Sequence, residues 1–61
     1  MTAKEWNESH PISQPIDLTE DDGSITYTQT RSHAWELANG TPVILVVGKS
    51  GGYSLSRIRA R

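Results

Sequence analysis

Apolar and hydroxyl side chains alternate from Ser24 to Thr30, with Ile25 and Tyr27 on one side and Ser24, Thr26, Thr28 and Thr30 on the other. A period of two marks a half-buried strand, so this segment predicts a β-strand whose apolar side carries Ile25 and Tyr27. Beyond Thr30 the pattern supports two exclusive readings. The alternation continues if Trp35 and Leu37 share the odd parity, and Asn39-Gly40 then closes a hairpin into Val43 to Val47. Alternatively a helix starts at Thr30, whose side-chain oxygen caps the first turn. At 100° per residue Ala34, Trp35, Leu37 and Ala38 then fall within an arc of about 160°, opposite Ser32, His33, Glu36 and Asn39. Asn39-Gly40 provides a left-handed exit, and Pro42 blocks continuation. Ala34, Glu36, Leu37 and Ala38 are good helix formers, whereas two alanines weaken a strand, so the balance favours a helix over residues 31–39.

The run Val43 to Val47 is apolar at every position, which predicts a central strand needing cover on both faces. One face takes the helix, and the other takes the N-terminal arm, a second copy or a partner. "PIDL" followed by "TEDDGS" reads as a short edge strand and a turn, with Pro15 tolerated at the strand start. "GKSGG" is a loop, and Tyr53 to Arg59 is the last strand. Strict alternation there puts Arg57 and Arg59 on the same side as Tyr53 and Leu55; a bulge near Ser56 turns Ile58 inward and both arginines outward. Residues 1–15 have two prolines, no periodicity, and only Trp6 and Ile12 as large apolar groups, which reads as a flexible arm. Trp6 is then either a partner anchor or a side chain folded back on a sheet. These elements predict an α+β domain over residues 16–61, preceded by the flexible arm over 1–15. One short helix packs on a three- to four-stranded antiparallel sheet in the order (β)-β-α-β-β.

Length restricts function. A chain of 61 residues buries only about 60% of its unfolded surface, and a pocket for a small-molecule substrate needs roughly 300 Å³ or more. Enzymatic activity is not expected. Without cysteine, neither disulfides nor thiolate metal sites supplement the core. The first residues are polar and no apolar run approaches the roughly 20 residues of a membrane span, so a soluble, cytoplasmic protein is expected.

The net charge of −1 conceals a division. Residues 1–22 carry Glu5, Glu8, Asp17, Glu20, Asp21 and Asp22 against Lys4, giving −5. Residues 23–61 carry Arg31, Lys49, Arg57, Arg59 and Arg61 against Glu36, giving +4. The halves suit either a solvated acidic arm or a charge-steered binding surface.

Several motifs fail on inspection. "GKS" at 48–50 lacks the upstream glycine and following helix of a phosphate loop. A calcium loop started at Asp17 has Asp22 where glycine is required and Thr28 where a bidentate glutamate is required. His10 and His33 lack ligand-spaced companions, so neither a metal nor a cofactor is expected. The C-terminal "RIRAR" remains. Arg57 and Arg59, two apart on a strand, project about 7 Å apart from one face, and guanidinium forks suit carboxylate or phosphate.

Two blocks carry a resemblance. "YTQTRSHAWELA", through Tyr27, Thr30, Ala34, Glu36, Leu37 and Ala38, together with "GYSLSRIR", is similar to the very small proteins with which lytic podophages of enterobacteria inhibit the host RNA polymerase. The resemblance implies a helix on an antiparallel sheet and binding to the largest polymerase subunit. Arg57 and Arg59 stand at that family's central arginines, and Glu36 at its acidic helix position. Arg61 extends the basic cluster, and Asp21 and Asp22 of the acidic segment offer a second contact. Competing expectations are a small nucleic-acid-binding or anti-defence protein using the same arginines on phosphates, and an antitoxin-like dimer formed through Val43 to Val47.

Overall fold

The computed structural model describes residues 2–61. In chain order it contains helix α1 (Ala3–Ser9), strands β1 (Pro15–Thr19), β2 (Ile25–Gln29), β3 (Trp35–Glu36), β4 (Pro42–Ile44) and β5 (Tyr53–Ser54), a 3-10 turn (Leu55–Arg57), and strand β6 (Ile58–Ala60). The strands form two antiparallel sheets, ordered β2-β1-β6 and β3-β4-β5. The α+β class follows directly.

β1 sets the geometry of the first sheet. Its period-two pattern buries Ile16 and Leu18 completely and leaves Asp17 on the outer side. Ile16 lies opposite Thr28 and Ala60, and Leu18 opposite Thr26 and Ile58, so those residues share the inward face. Asp17 lies opposite Tyr27 and Arg59, which therefore share the outward face.

Two hairpins use one turn design. In Glu20–Ser24, Gly23 N–H donates to Glu20 O at 3.0 Å and Glu20 N–H to Ser24 O at 2.8 Å. In Leu37–Thr41, Gly40 N–H donates to Leu37 O at 2.8 Å and Leu37 N–H to Thr41 O at 2.9 Å. Gly23 and Gly40 sit at φ +88° and +87°, the left-handed geometry that ends a three-residue hairpin loop. Asp22 and Asn39, each just before the glycine, accept from the backbone N–H two residues on, at 2.9 and 3.0 Å.

The sheets meet at Thr30, which is fully buried and bridges to Val46. Its hydroxyl accepts from Gln14 N–H at 3.1 Å, and its backbone N–H donates to Gln14 O at 3.0 Å. Arg31 fastens the same corner, donating from Nε to Val46 O and from Nη2 to Lys49 O, both at 3.1 Å.

Helix α1 closes the core. Thr2 and Glu5 form a reciprocal capping box: Thr2 Oγ1 accepts from Glu5 N–H at 3.1 Å, and Glu5 Oε1 accepts from Thr2 N–H at 2.8 Å. The helix ends at His10, which Pro11 follows. Ala3 and Trp6, three apart, present one apolar side, and Trp6 is 4% exposed. They join Ile16, Leu18, Ala34, Ile44, Val46 and Leu55 in a single cluster drawn from both sheets and the helix. Complete burial of each branched aliphatic contributes about 1.5–3 kcal/mol.

Several expectations are corrected. Residues 31–39 are not helical: Trp35 and Glu36 pair with Val43 and Pro42, and the segment then turns through Ala38-Asn39-Gly40. A short isolated helix bears the cost of nucleation and would rely on a narrow Ala-Leu stripe. The extended conformation instead gives the segment's polar groups partners across the fold, including Asn7 to Ala34 and Ser32 Oγ to Leu45 N–H. The α-helix found among the described residues lies within the segment read as a flexible arm, where Trp6 folds back onto the core. The order is therefore α-β-β-β-β-β-β rather than (β)-β-α-β-β. β1 is a central strand, not an edge, since β6 returns along its second side. Finally, β2 is inverted: Ile25 and Tyr27 face outward and Thr26 and Thr28 inward, because β1 fixes the parity.

Candidate partner-binding face

β5 ends where the 3-10 turn begins. Ser54 Oγ accepts from Ser56 N–H at 3.3 Å, and Ile58 N–H donates to Leu55 O. The turn breaks the alternation at the place where a bulge was expected near Ser56. Leu55 is buried, Ile58 packs against the core, and Arg57 and Arg59 both emerge on the outer side.

There they border a groove of about 440 Å³ lined also by Asp17, Thr19, Ile25 and Tyr27. Tyr27 is 69% and Ile25 49% exposed, an apolar pair standing in solvent beside cations. The Arg61 guanidinium lies 4.4 Å from the centre of the Tyr27 ring, a cation–π contact, and its Nε donates to Asp17 Oδ1 at 2.8 Å. Arg57 Nη1 donates to Asp21 Oδ1. Arg59, opposite Asp17 in the register, makes no ion pair among the described residues. Its guanidinium is therefore available to an incoming acceptor.

Of the six residues expected at a partner site, Arg57, Arg59, Arg61 and Asp21 come together on this face. Asp22 faces its own turn, accepting from both the N–H and the hydroxyl of Ser24. Those bonds, the hydroxyl first, hold its carboxyl below the usual aspartate range. Glu36 lies on β3 in the second sheet rather than on a helix, and no ion pair among the described residues joins it to the arginines. Tyr27 and Ile25 were missed because the sequence pattern assigned them to the core. The available signal was β1: with Ile16 and Leu18 inward, a neighbouring strand in this register must turn Tyr27 to solvent.

Away from the groove, a further link joins the acidic and basic halves. Lys49 Nζ contacts Glu20 Oε2 at 2.9 Å, and Thr26 Oγ1 donates to the same carboxylate. The Thr26 bond, then Lys49, holds the Glu20 carboxyl below its ordinary range, while Glu20 raises Lys49 above its own. Among the described residues no cluster of three or more His, Asp or Glu is placed to hold a metal ion. No helix among them is long and apolar enough to cross a membrane.

A second outer face lies on β3-β4-β5. Trp35, 42% exposed, pairs with Val43, and its ring lies over Gly52, where a Cβ would sit 3.5 Å from Trp35 Cη2. No family model matches the chain, and neither curated proteins nor solved structures give a significant match.

Proposed function

We propose that this chain acts by binding rather than by catalysis, docking the outer face of β2-β1-β6 onto an acidic surface of a larger protein. The observation that carries this reading is the company of Tyr27 and Ile25 with Arg57 and Arg59 around one groove, with Arg61 stacked on the Tyr27 ring beside it. Tyrosine and arginine are the residue types that concentrate binding energy at interface centres. Tyr27 supplies rigid area, the arginines supply two-pronged recognition of carboxylates, and unpaired Arg59 is the first point of attachment.

Bacterial RNA polymerase, met in the bacterial cytoplasm, is the target to which the sequence resemblance directs the first experiment. That choice rests on the arginine ending alone, since the other matching block forms no helix here. Transcription by purified host holoenzyme is measured with excess wild-type protein and with Arg59→Glu. Inhibition by the wild type, relieved in the variant, supports the reading; undiminished transcription ends the polymerase assignment. The nucleic-acid alternative predicts a gel shift that weakens steeply with salt, and two of the three arginines are already matched by Asp21 and Asp17. The dimer alternative arose from the need to cover Val43 to Val47, and Trp6 fills the same cluster as Ile44 and Val46.

A further inference from the structure

The turn between β1 and β2 reaches across to the basic face, and the geometry points to Asp21 as an internal competitor that occupies Arg57 until an acidic peptide segment of the partner displaces it. This rests on the docking reading above and adds how access to the face is controlled.

Nothing in the turn itself requires an acid at Asp21. The equivalent position in the second turn is Ala38, and both turns fold with the same hydrogen bonds. The Asp21 side chain is 90% exposed, and its ion pair is with Arg57. An exposed pair of this kind is held weakly and opens readily. Two residues along, Arg59 carries no such partner among the described residues. Beside the free Arg59 guanidinium the face thus offers Arg57, held only by an exposed turn acid, while Arg61 is held by Asp17 of β1 and stacked on Tyr27. A peptide bearing two carboxylates within reach of both exchanges the Asp21 contact for its own, while a single carboxylate gains only Arg59. The occupant is accordingly an acidic peptide segment with apolar side chains between its acids, matched to Ile25 and Tyr27.

The molecule supplies its own controls. Asp21→Ala and Asp22→Asn each remove one negative charge from the same turn, and each installs the residue already present at the matching place in Leu37–Thr41. Only Asp21 touches Arg57. Binding of a fluorescein-labelled octapeptide of alternating glutamate and leucine is followed by anisotropy, with wild type, Asp21→Ala, Asp22→Asn and Arg59→Gln. The expected result is affinity about two- to fivefold tighter for Asp21→Ala, a clearly smaller gain for Asp22→Asn, and weakening for Arg59→Gln. Should Asp21→Ala fail to fold, Asp21→Asn reads the same exchange. Equal gains from both turn variants overturn the competitor role and leave the docking face standing. Absence of peptide binding by every variant overturns the competitor and the acidic-partner reading together. Preference of Asp21→Ala for a labelled oligothymidylate over the peptide overturns the proposal in favour of a phosphate ligand.

Discussion

The side-chain amide of Asn7 pairs with both backbone groups of Ala34, its Nδ2 donating to the carbonyl at 3.0 Å and its Oδ1 accepting from the N–H at 2.8 Å. One helical side chain thereby does what a neighbouring strand would do, satisfying the chain just before β3 and fixing it extended. Asn7→Ala leaves a partly buried donor and acceptor without partners, so a loss of about 1–3 kcal/mol is expected. Urea unfolding followed by circular dichroism measures it, and a loss under about 0.3 kcal/mol would deny the pairing its role.

Trp6 makes a stronger claim on stability. Truncating a buried tryptophan costs about 3–5 kcal/mol, a large share of the 5–15 kcal/mol that holds small domains folded. Trp6→Ala is therefore expected to lower the urea midpoint steeply and, at the low end of that range, to leave up to about half of the population unfolded at room temperature. Deleting residues 2–10 should do the same. A truncated chain that retains a cooperative thermal transition would restore the flexible-arm picture.

Gly23 and Gly40 test the paired turns. Both sit at left-handed φ with open space where a Cβ would project, so strain comes from the backbone alone. Each Gly→Ala exchange is expected to cost about 1–2 kcal/mol, and Gly→Asn less, because asparagine tolerates this region. Denaturant midpoints of the four variants give the ranking, and equal effects of Ala and Asn would contradict it.

Acid should weaken the fold through Glu5, Glu20 and Asp22, each held below its ordinary value by hydrogen bonds from Thr2, Thr26 and Ser24 respectively. A lowered folded value means that stabilisation is present above the unfolded values of 4.5, 4.5 and 3.8 and is lost as pH falls through the lower folded values. Lys49 has the opposite sign: raised above 10.5, its contribution is present below that value and lost as pH rises through the folded one. Urea midpoints from pH 7 to 3 should fall, and Thr26→Val should flatten the part due to Glu20. A midpoint unchanged across that range would show these bonds to be inconsequential.

The binding face makes its own prediction. Tyr27 and Arg59 lie outside the core, so Tyr27→Ala and Arg59→Gln should each change stability by under about 1 kcal/mol. Each should weaken capture of the docked partner at least tenfold, as expected for interface centres. Parallel losses of stability and binding would mean that the face is structural.

The legible parts of this fold were those governed by local chemistry. Alternation identified β2, Asp22-Gly23 the first turn, and the parity conflict at Ile58 located the break that the 3-10 turn supplies. That break brings Arg57 and Arg59 to one side, as expected from the sequence. What failed depended on partners distant in the chain. Residues 31–39 read as a helix because the grip of Asn7 on Ala34 is invisible in a local window. Tyr27 read as core because its side is decided by β1. The N-terminal helix did leave a local mark, the Thr2 to Glu5 capping spacing with Trp6 next to it, outweighed by Pro11 and the lack of a longer period.

The central place of β1 has a consequence for how the polypeptide comes into being. Its two flanks are filled from Ile25–Gln29 and from Ile58–Ala60, so β1 gains its second neighbour only after β2 to β5 have emerged. A nascent chain halted before Ile58 displays Ile16 and Leu18 along a raw backbone margin, the kind of template onto which other chains add. Interrupted synthesis thus yields clumping rather than a half-working molecule, and hydrogen exchange should find β1 protected only once β6 has been made.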